Sequence, residues 1–157
     1  MYIKEFEIRW NDLDANRHLA NSSYVNYMSH TRMSFLMDQG FGHHTMLQHN
    51  IGPVVFHEHL YYFRESMMGG KIRVSFELGG VSEDGMFFRF LHNFYDQDGR
   101  NLAFCEMQGG WIDLGTRKLT PLAPELLTQL QTAPRSDDFR MLTRSDMRDK
   151  SRMPVDL

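Results

Sequence analysis

From Gly52 to Asp113 the chain keeps a period of two residues, broken only by short turns that carry glycine. This constrains the fold more than any other feature. Strands are expected over 53–64, 71–80, 86–96 and 101–113. The turns between them are Met68-Gly69-Gly70, Ser82-Glu83-Asp84-Gly85 and Asp96-Gln97-Asp98-Gly99, each with the glycine that a positive-φ turn position favours. Ile72, Val74, Phe76 and Leu78 share one face, as do Met86, Phe88, Phe90 and Phe94. Phe87 and Leu91 lie on the opposite face of the third strand, so that strand is expected to be covered on both sides. Four consecutive strands joined by tight turns build an antiparallel sheet.

An apolar sheet face needs a layer against it. The segment from Asn21 to about Gly40 supplies one: Tyr24, Val25, Tyr27, Met28, Met33, Phe35, Leu36 and Met37 make it apolar on nearly every side, which predicts a helix buried all round. Asn21, Ser22 or Ser23 can cap its start, and Gly40 and Gly42 end it. Residues 2–10 alternate, with Tyr2, Lys4, Phe6, Ile8 and Trp10 on one side, and read as an additional strand. Residues 43–50 read as a short helix or ordered loop, and 124–132 as a short amphipathic helix with proline in its first turn. The class is α+β.

A chain of 157 residues is most simply one domain, placed at 1–132, followed by a charged, poorly ordered or surface-draped tail over 133–157 that is helical near 139–149. With 17 basic and 20 acidic side chains, the net charge of −3 argues against a nucleic-acid partner, which needs a basic face. Cys105 is the one cysteine, so neither a disulfide framework nor a thiolate metal site is expected. The alternating, charged start is unlike a signal peptide, no apolar run reaches the roughly 20 residues of a membrane span, and the cytoplasm is the expected location.

Between the first strand and the helix, Asp12, Asp14, Asn16, His18 and Asn21 crowd into ten residues. Ionisable groups at the mouth of a core helix are where chemistry is expected. The run Asp12-Leu-Asp14-Ala-Asn16-Arg17-His18-Leu-Ala20-Asn21-Ser-Ser-Tyr24, with Tyr27 and Arg32 further along, resembles the opening pattern of the 4-hydroxybenzoyl-CoA thioesterase family of acyl-CoA thioesterases. The resemblance implies the hotdog fold, an antiparallel sheet wrapped around one long central helix, in a homodimer or homotetramer with its pocket at the subunit interface. It implies an acyl-CoA or acyl-carrier thioester as substrate, with coenzyme A present only as part of it and no cofactor. Asp14 would be nucleophile or general base, backbone amides near Asn21 would polarise the carbonyl, and His18 would position the loop or touch the acyl group. Tyr24, with Asn16 and Arg17 of the loop, would bind substrate. Two positions depart from the pattern: Arg17 stands where the family has glycine, and Ala20 replaces the first asparagine of a pair. If the glycine carries a positive φ, strain falls on Arg17 unless Asn16 takes over the bend.

Other candidates have plainer readings. Asp12 reads as structural, and Arg32 as a buried charge that pairs with a carboxylate inside the protein or at the interface. Cys105 reads as a small buried residue. His57 and His59, with His43, His44 and His49 near in sequence, match no metal-ligand spacing. Arg73, Arg89, Lys71 and Arg100 are the cations considered for the phosphates of coenzyme A. Two alternatives stand beside the hydrolase: a non-catalytic acyl-CoA or acyl-group binder, and a hydratase or dehydratase of the same fold using Asp14 and His18.

Overall fold

The computed structural model describes residues 1–147 and 152–157. The four expected strands form close to their expected limits: β2 Ile51–Tyr62, β3 Lys71–Ser82, β4 Phe87–Tyr95 and β5 Asn101–Asp113, after β1 Tyr2–Glu7. They pair antiparallel in the order β1-β3-β4-β5-β2. The turn glycines take the positive φ expected of them (Gly69 87°, Gly85 71°, Gly99 84°). Strand β1 is shorter than its alternation suggests, because Trp10–Asp12 form a 3-10 turn that leaves Trp10 77% exposed.

Ile72, Val74, Phe76 and Leu78 of β3 and Phe88, Phe90 and Phe94 of β4 make one apolar layer, each at most 2% exposed. Helix α1, Asn21–Asp38, packs on that layer through Phe35 against Phe76 (centroids 4.9 Å apart) and Tyr24 against Phe94 (5.1 Å). Its C-terminus is a Schellman turn: the Phe41 N–H donates to Leu36 O (2.8 Å), the Gly40 N–H donates to Met37 O (3.0 Å), and Gly40 takes φ 77°. The short helix α2, His43–Gln48, follows. Phe87 and Leu91 on the reverse of β4 are each 5% exposed, so that strand is covered on both sides as expected. Helix α3, Pro124–Gln131, buries Leu126 and Leu130.

Three expectations change. Helix α1 is not buried all round: Ser22, Asn26, His30 and Met37 form an exposed stripe at helical spacing. No side chain caps it; the N-cap is Ala20, and Ser23 Oγ instead donates to the Asp12 carbonyl (2.8 Å). Residues 135–142, expected in a draped tail with a helix near 139–149, form strand β6, Arg135–Leu142, which pairs parallel with β3 from Leu78 onward. A 3-10 turn at Arg144–Met147 follows, and the remainder of the expected helix lies outside the described residues. Strand β6 buries Leu142 and is also tied by an ion pair: Arg89, 8% exposed on the reverse of β4, donates to Glu106 of β5 and to Asp138 of β6, both at 2.8 Å.

Candidate active site

The loop ahead of α1 is built on two carboxylates with different tasks. Asp12, 6% exposed, accepts from the Arg9 backbone N–H (2.9 Å), from Arg9 Nε and Nη2 (both 3.0 Å) and from the Tyr27 hydroxyl (2.7 Å). The Arg9 side-chain bonds, helped by Tyr27, outweigh the cost of burial and hold the Asp12 carboxyl down to about 2. Its own carbonyl receives the Ala20 N–H and Ser23 Oγ (both 2.8 Å). Asp12 thus ties β1, the loop and the first turns of α1 together, the structural role expected of it.

Asp14 closes the turn that follows. Its Oδ1 accepts the N–H groups of Asn16 (2.8 Å) and His18 (3.1 Å), and its backbone bonds to His18 and Arg17 complete the turn. Among the described residues, Oδ2 has no partner, so an exposed carboxylate is held by one oxygen and presents the other. Arg17 takes φ 65°. The left-handed strain therefore falls on Arg17 itself and not on Asn16. Because an L side chain in this region costs about 1 kcal/mol, Arg17→Gly is expected to raise the melting temperature by about 2–4 °C. An unchanged or lower temperature in thermal denaturation would show that the turn is not strained.

Asp14, His18, Leu19, Asn21 and Tyr24 form one wall of a cavity of about 380 Å³, and Tyr62, Phe63, Arg64 and Glu65 at the end of β2 form the other. Four of the residues expected in the site thus meet in one place. Asn16 and Arg17 do not line it; they sit on the exposed turn behind Asp14. The two walls are sewn together: His18 Nε2 lies 3.0 Å from Glu65 Oε2, the Leu19 N–H donates to Ser66 O (2.7 Å), and His18 bridges Met67. Tyr24 meets Tyr62 edge to face at 5.2 Å, and burial, with Tyr62 adding to it, pushes its phenol up to about 12. Helix α1 begins without a side-chain cap at Asn21, which lines the cavity, and the Asn21 N–H and that of the neighbouring Ser22 have no partner among the described residues. Free first-turn amides at the positive end of a helix dipole suit a developing oxyanion.

The second wall was not foreseen. The one sequence signal for it was the abrupt Arg64-Glu65 pair closing the aromatic run Tyr61-Tyr62-Phe63. The other candidates lie elsewhere. Arg32 is partly buried on α1, 3.5 Å from His92 of β4 and 4.0 Å from Glu58 of β2, a looser carboxylate partner than expected. His92 Nδ1 sits 2.7 Å from the Ser75 carbonyl, which can only accept, so Nδ1 carries the proton and Nε2 faces Arg32. Burial first, and then Arg32, push His92 down to about 3, so the ring is neutral. Burial likewise pushes the Cys105 thiol up to about 12, an inert core group. The His57 and His59 rings lie 5.0 Å apart on β2, tilted by 31°, His49 pairs with Glu125 at 3.6 Å, and no group of three or more metal-binding side chains occurs among the described residues.

Comparison with known proteins now decides the family. The sequence pattern of the Thioesterase-like superfamily matches residues 8–130, which include both walls of the cavity. The chain belongs to the Thioesterase-like superfamily. No curated protein matches the chain in sequence. Among solved structures, the chain is similar to YbaW, a probable thioesterase from Escherichia coli (22% identity, TM-score 0.73, covering 85% of this chain and 98% of that one). It is also similar to a 1,4-dihydroxy-2-naphthoyl-CoA thioesterase from Synechocystis (14%, 0.74, 83% and 95%). A third similar structure is a hypothetical protein from Staphylococcus aureus solved in complex with CoA (15%, 0.77, 98% and 95%). At these identities the likeness establishes the fold: this Thioesterase-like superfamily member has the antiparallel, helix-poor architecture of hotdog thioesterases.

Proposed function

We propose that this protein is a thioester hydrolase that cleaves acyl-CoA, or a related pantetheine thioester, to a carboxylic acid and a free thiol. The observation that carries this reading is the meeting at one cavity of about 380 Å³ of Asp14, whose Oδ2 has no partner among the described residues, with Asn21 at the uncapped start of α1. A carbonyl bound there would place its oxygen on the amides and its carbon before the carboxylate. Asp14 then either attacks the carbon, expelling thiolate and leaving a mixed anhydride that water opens, or takes a proton from water as water attacks. Both routes consume one water, and neither needs a cofactor. His18, fastened to Glu65, holds the loop against the far wall, and Tyr24 borders the acyl group. Asn16 and Arg17 act through the shape of the turn.

In this reading α1 is the central helix of the hotdog, and two copies assemble edge to edge. Among the described residues strand β2 pairs only with β5, so its outer edge is open there, and Val55, Phe56, Tyr61 and Tyr62 along it are 38–52% exposed. Sheet edges of this length and apolarity are normally covered. A second copy there would close the exposed side of the cavity beside Tyr62 and Phe63. None of the helices described is long and apolar enough to cross a membrane, which is compatible with the cytoplasmic location we assign.

Release of free thiol from short, medium, long and aromatic acyl-CoAs tests the proposal. Turnover of at least one class is expected, and its identity names the acyl group. Tight binding of acyl-CoA without release from any of them would leave an acyl-group binder in its place.

A further inference from the structure

None of the cations considered for the phosphates of a thiol carrier lines the cavity. Arg89 is buried among Glu106, Asp138 and the Gly79 carbonyl on the reverse of the sheet. Lys71 pairs with Glu5, and Arg100 with Asp96 (2.7 Å) and Asp98 (3.3 Å). Arg73, held through Nη2 by the carbonyls of Asp96 and Gln97, lies on β3 away from the cavity. The cavity wall itself contains a different cation, Arg64.

Arg64 is held in a way that suits anion binding. The N–H groups of Phe63 and Arg64 both donate to Leu102 O (2.8 and 3.1 Å), and Arg64 Nη1 donates to the Asn101 carbonyl (2.7 Å). The guanidinium is therefore fixed to the start of β5 by a neutral acceptor, and it forms no ion pair among the described residues. Nε and Nη2 remain undirected by any partner among those residues, a planar fork that matches two phosphate oxygens. The same cavity carries the carboxylates Asp14 and Glu65, of which Glu65 already faces His18. A phosphate approaching this acidic mouth needs a fixed positive charge beside it, and in the cavity wall Arg64 is the one permanent cation. Arg64 is exposed at this wall, where a phosphate outside the cavity can reach it.

The geometry points to Arg64 as the residue that binds a phosphate of the thiol carrier and so sets the preference of the enzyme for phosphorylated pantetheine thioesters. This rests on the hydrolase reading for its substrate, but not for its test. With one neutral acyl group held constant, kcat/KM is measured for acyl-pantetheine, acyl-CoA and acyl-carrier protein, in wild type and in Arg64→Gln. The ratio of acyl-CoA to acyl-pantetheine is expected to fall about tenfold, the order of one charge-assisted contact, chiefly through KM, and Arg64→Lys should recover part of it. A parallel loss on acyl-carrier protein would assign the contact to the pantetheine 4′-phosphate both carriers share, and a loss on acyl-CoA alone to the phosphates of its nucleotide. Equal losses on all three substrates, or none, would overturn the assignment. Calorimetric titration of both proteins with free CoA and with pantetheine reads the same contact without turnover. CoA binding about tenfold weaker in a variant with unchanged melting temperature supports Arg64 even if no thioester is cleaved, and equal CoA affinities overturn it.

Discussion

Asp12→Ala is expected to lower the stability of the protein by about 2–3 kcal/mol, the largest single loss in the loop. The carboxylate is the acceptor for three Arg9 donors and the Tyr27 hydroxyl. Tyr27 is 5% exposed, so its hydroxyl would be left to the more distant Glu7 carbonyl at 3.3 Å. Denaturant unfolding checks the magnitude, and a change under 0.5 kcal/mol, roughly the scale of surface substitutions, would contradict it. The pH dependence has a defined sign. The carboxyl titrates near 3.8 when unfolded and near 2 in the folded protein, held down first by Arg9. Its contribution is thus complete above about pH 4 and is lost as pH falls toward 2, so wild type and Asp12→Ala should converge in stability at the acid end.

Where apolar alternation alone decides structure, the chain was readable. Strands β2 to β5 came within about two residues of their limits because glycine turns bound them, although the pairings of β2 with β5, β3 with β4 and β4 with β5 each contain a register shift that the pattern does not mark. Strand β6 was not readable. Its residues, Arg-Ser-Asp-Asp-Phe-Arg-Met-Leu, alternate no apolar face, and its place on β3 rests on long-range contacts: the ladder with β3, burial of Leu142, and Asp138 meeting Arg89, 49 residues earlier in the chain. The exposed stripe of α1 was missed for a related reason. Met33 and Met37 count as apolar in a pattern, yet Met37 is 52% exposed at the end of the helix.

The candidate site was half legible. Asp14, His18, Asn21 and Tyr24 lie within eleven consecutive residues, and a local motif can place such a group. The opposite wall comes from the end of β2, brought in by the pairing of Leu19 with Ser66 and of His18 with Glu65, contacts that no local spacing announces. The helix cap misled for a physical reason: three capping side chains were available, but Ser23 is turned inward to the Asp12 carbonyl. The amides left uncovered are those a carbonyl oxygen could use.

Asp14→Asn should separate chemistry from structure. The amide oxygen of asparagine can still accept the Asn16 and His18 N–H groups that Asp14 Oδ1 accepts, so the turn survives, while the free oxygen becomes an NH2 that neither attacks a carbonyl nor takes a proton. A loss of roughly 10²–10⁴-fold in kcat is expected, with a much smaller change in KM. Asp14→Ala, which also removes the turn acceptor, should lose stability as well. The first measurement is therefore the rate of thiol release from the preferred acyl-CoA by wild type and Asp14→Asn, with matched melting temperatures. A folded variant at least 10²-fold slower places the thioester at this pocket. Equal rates in the two proteins would remove Asp14 from the reaction and this pocket from the mechanism.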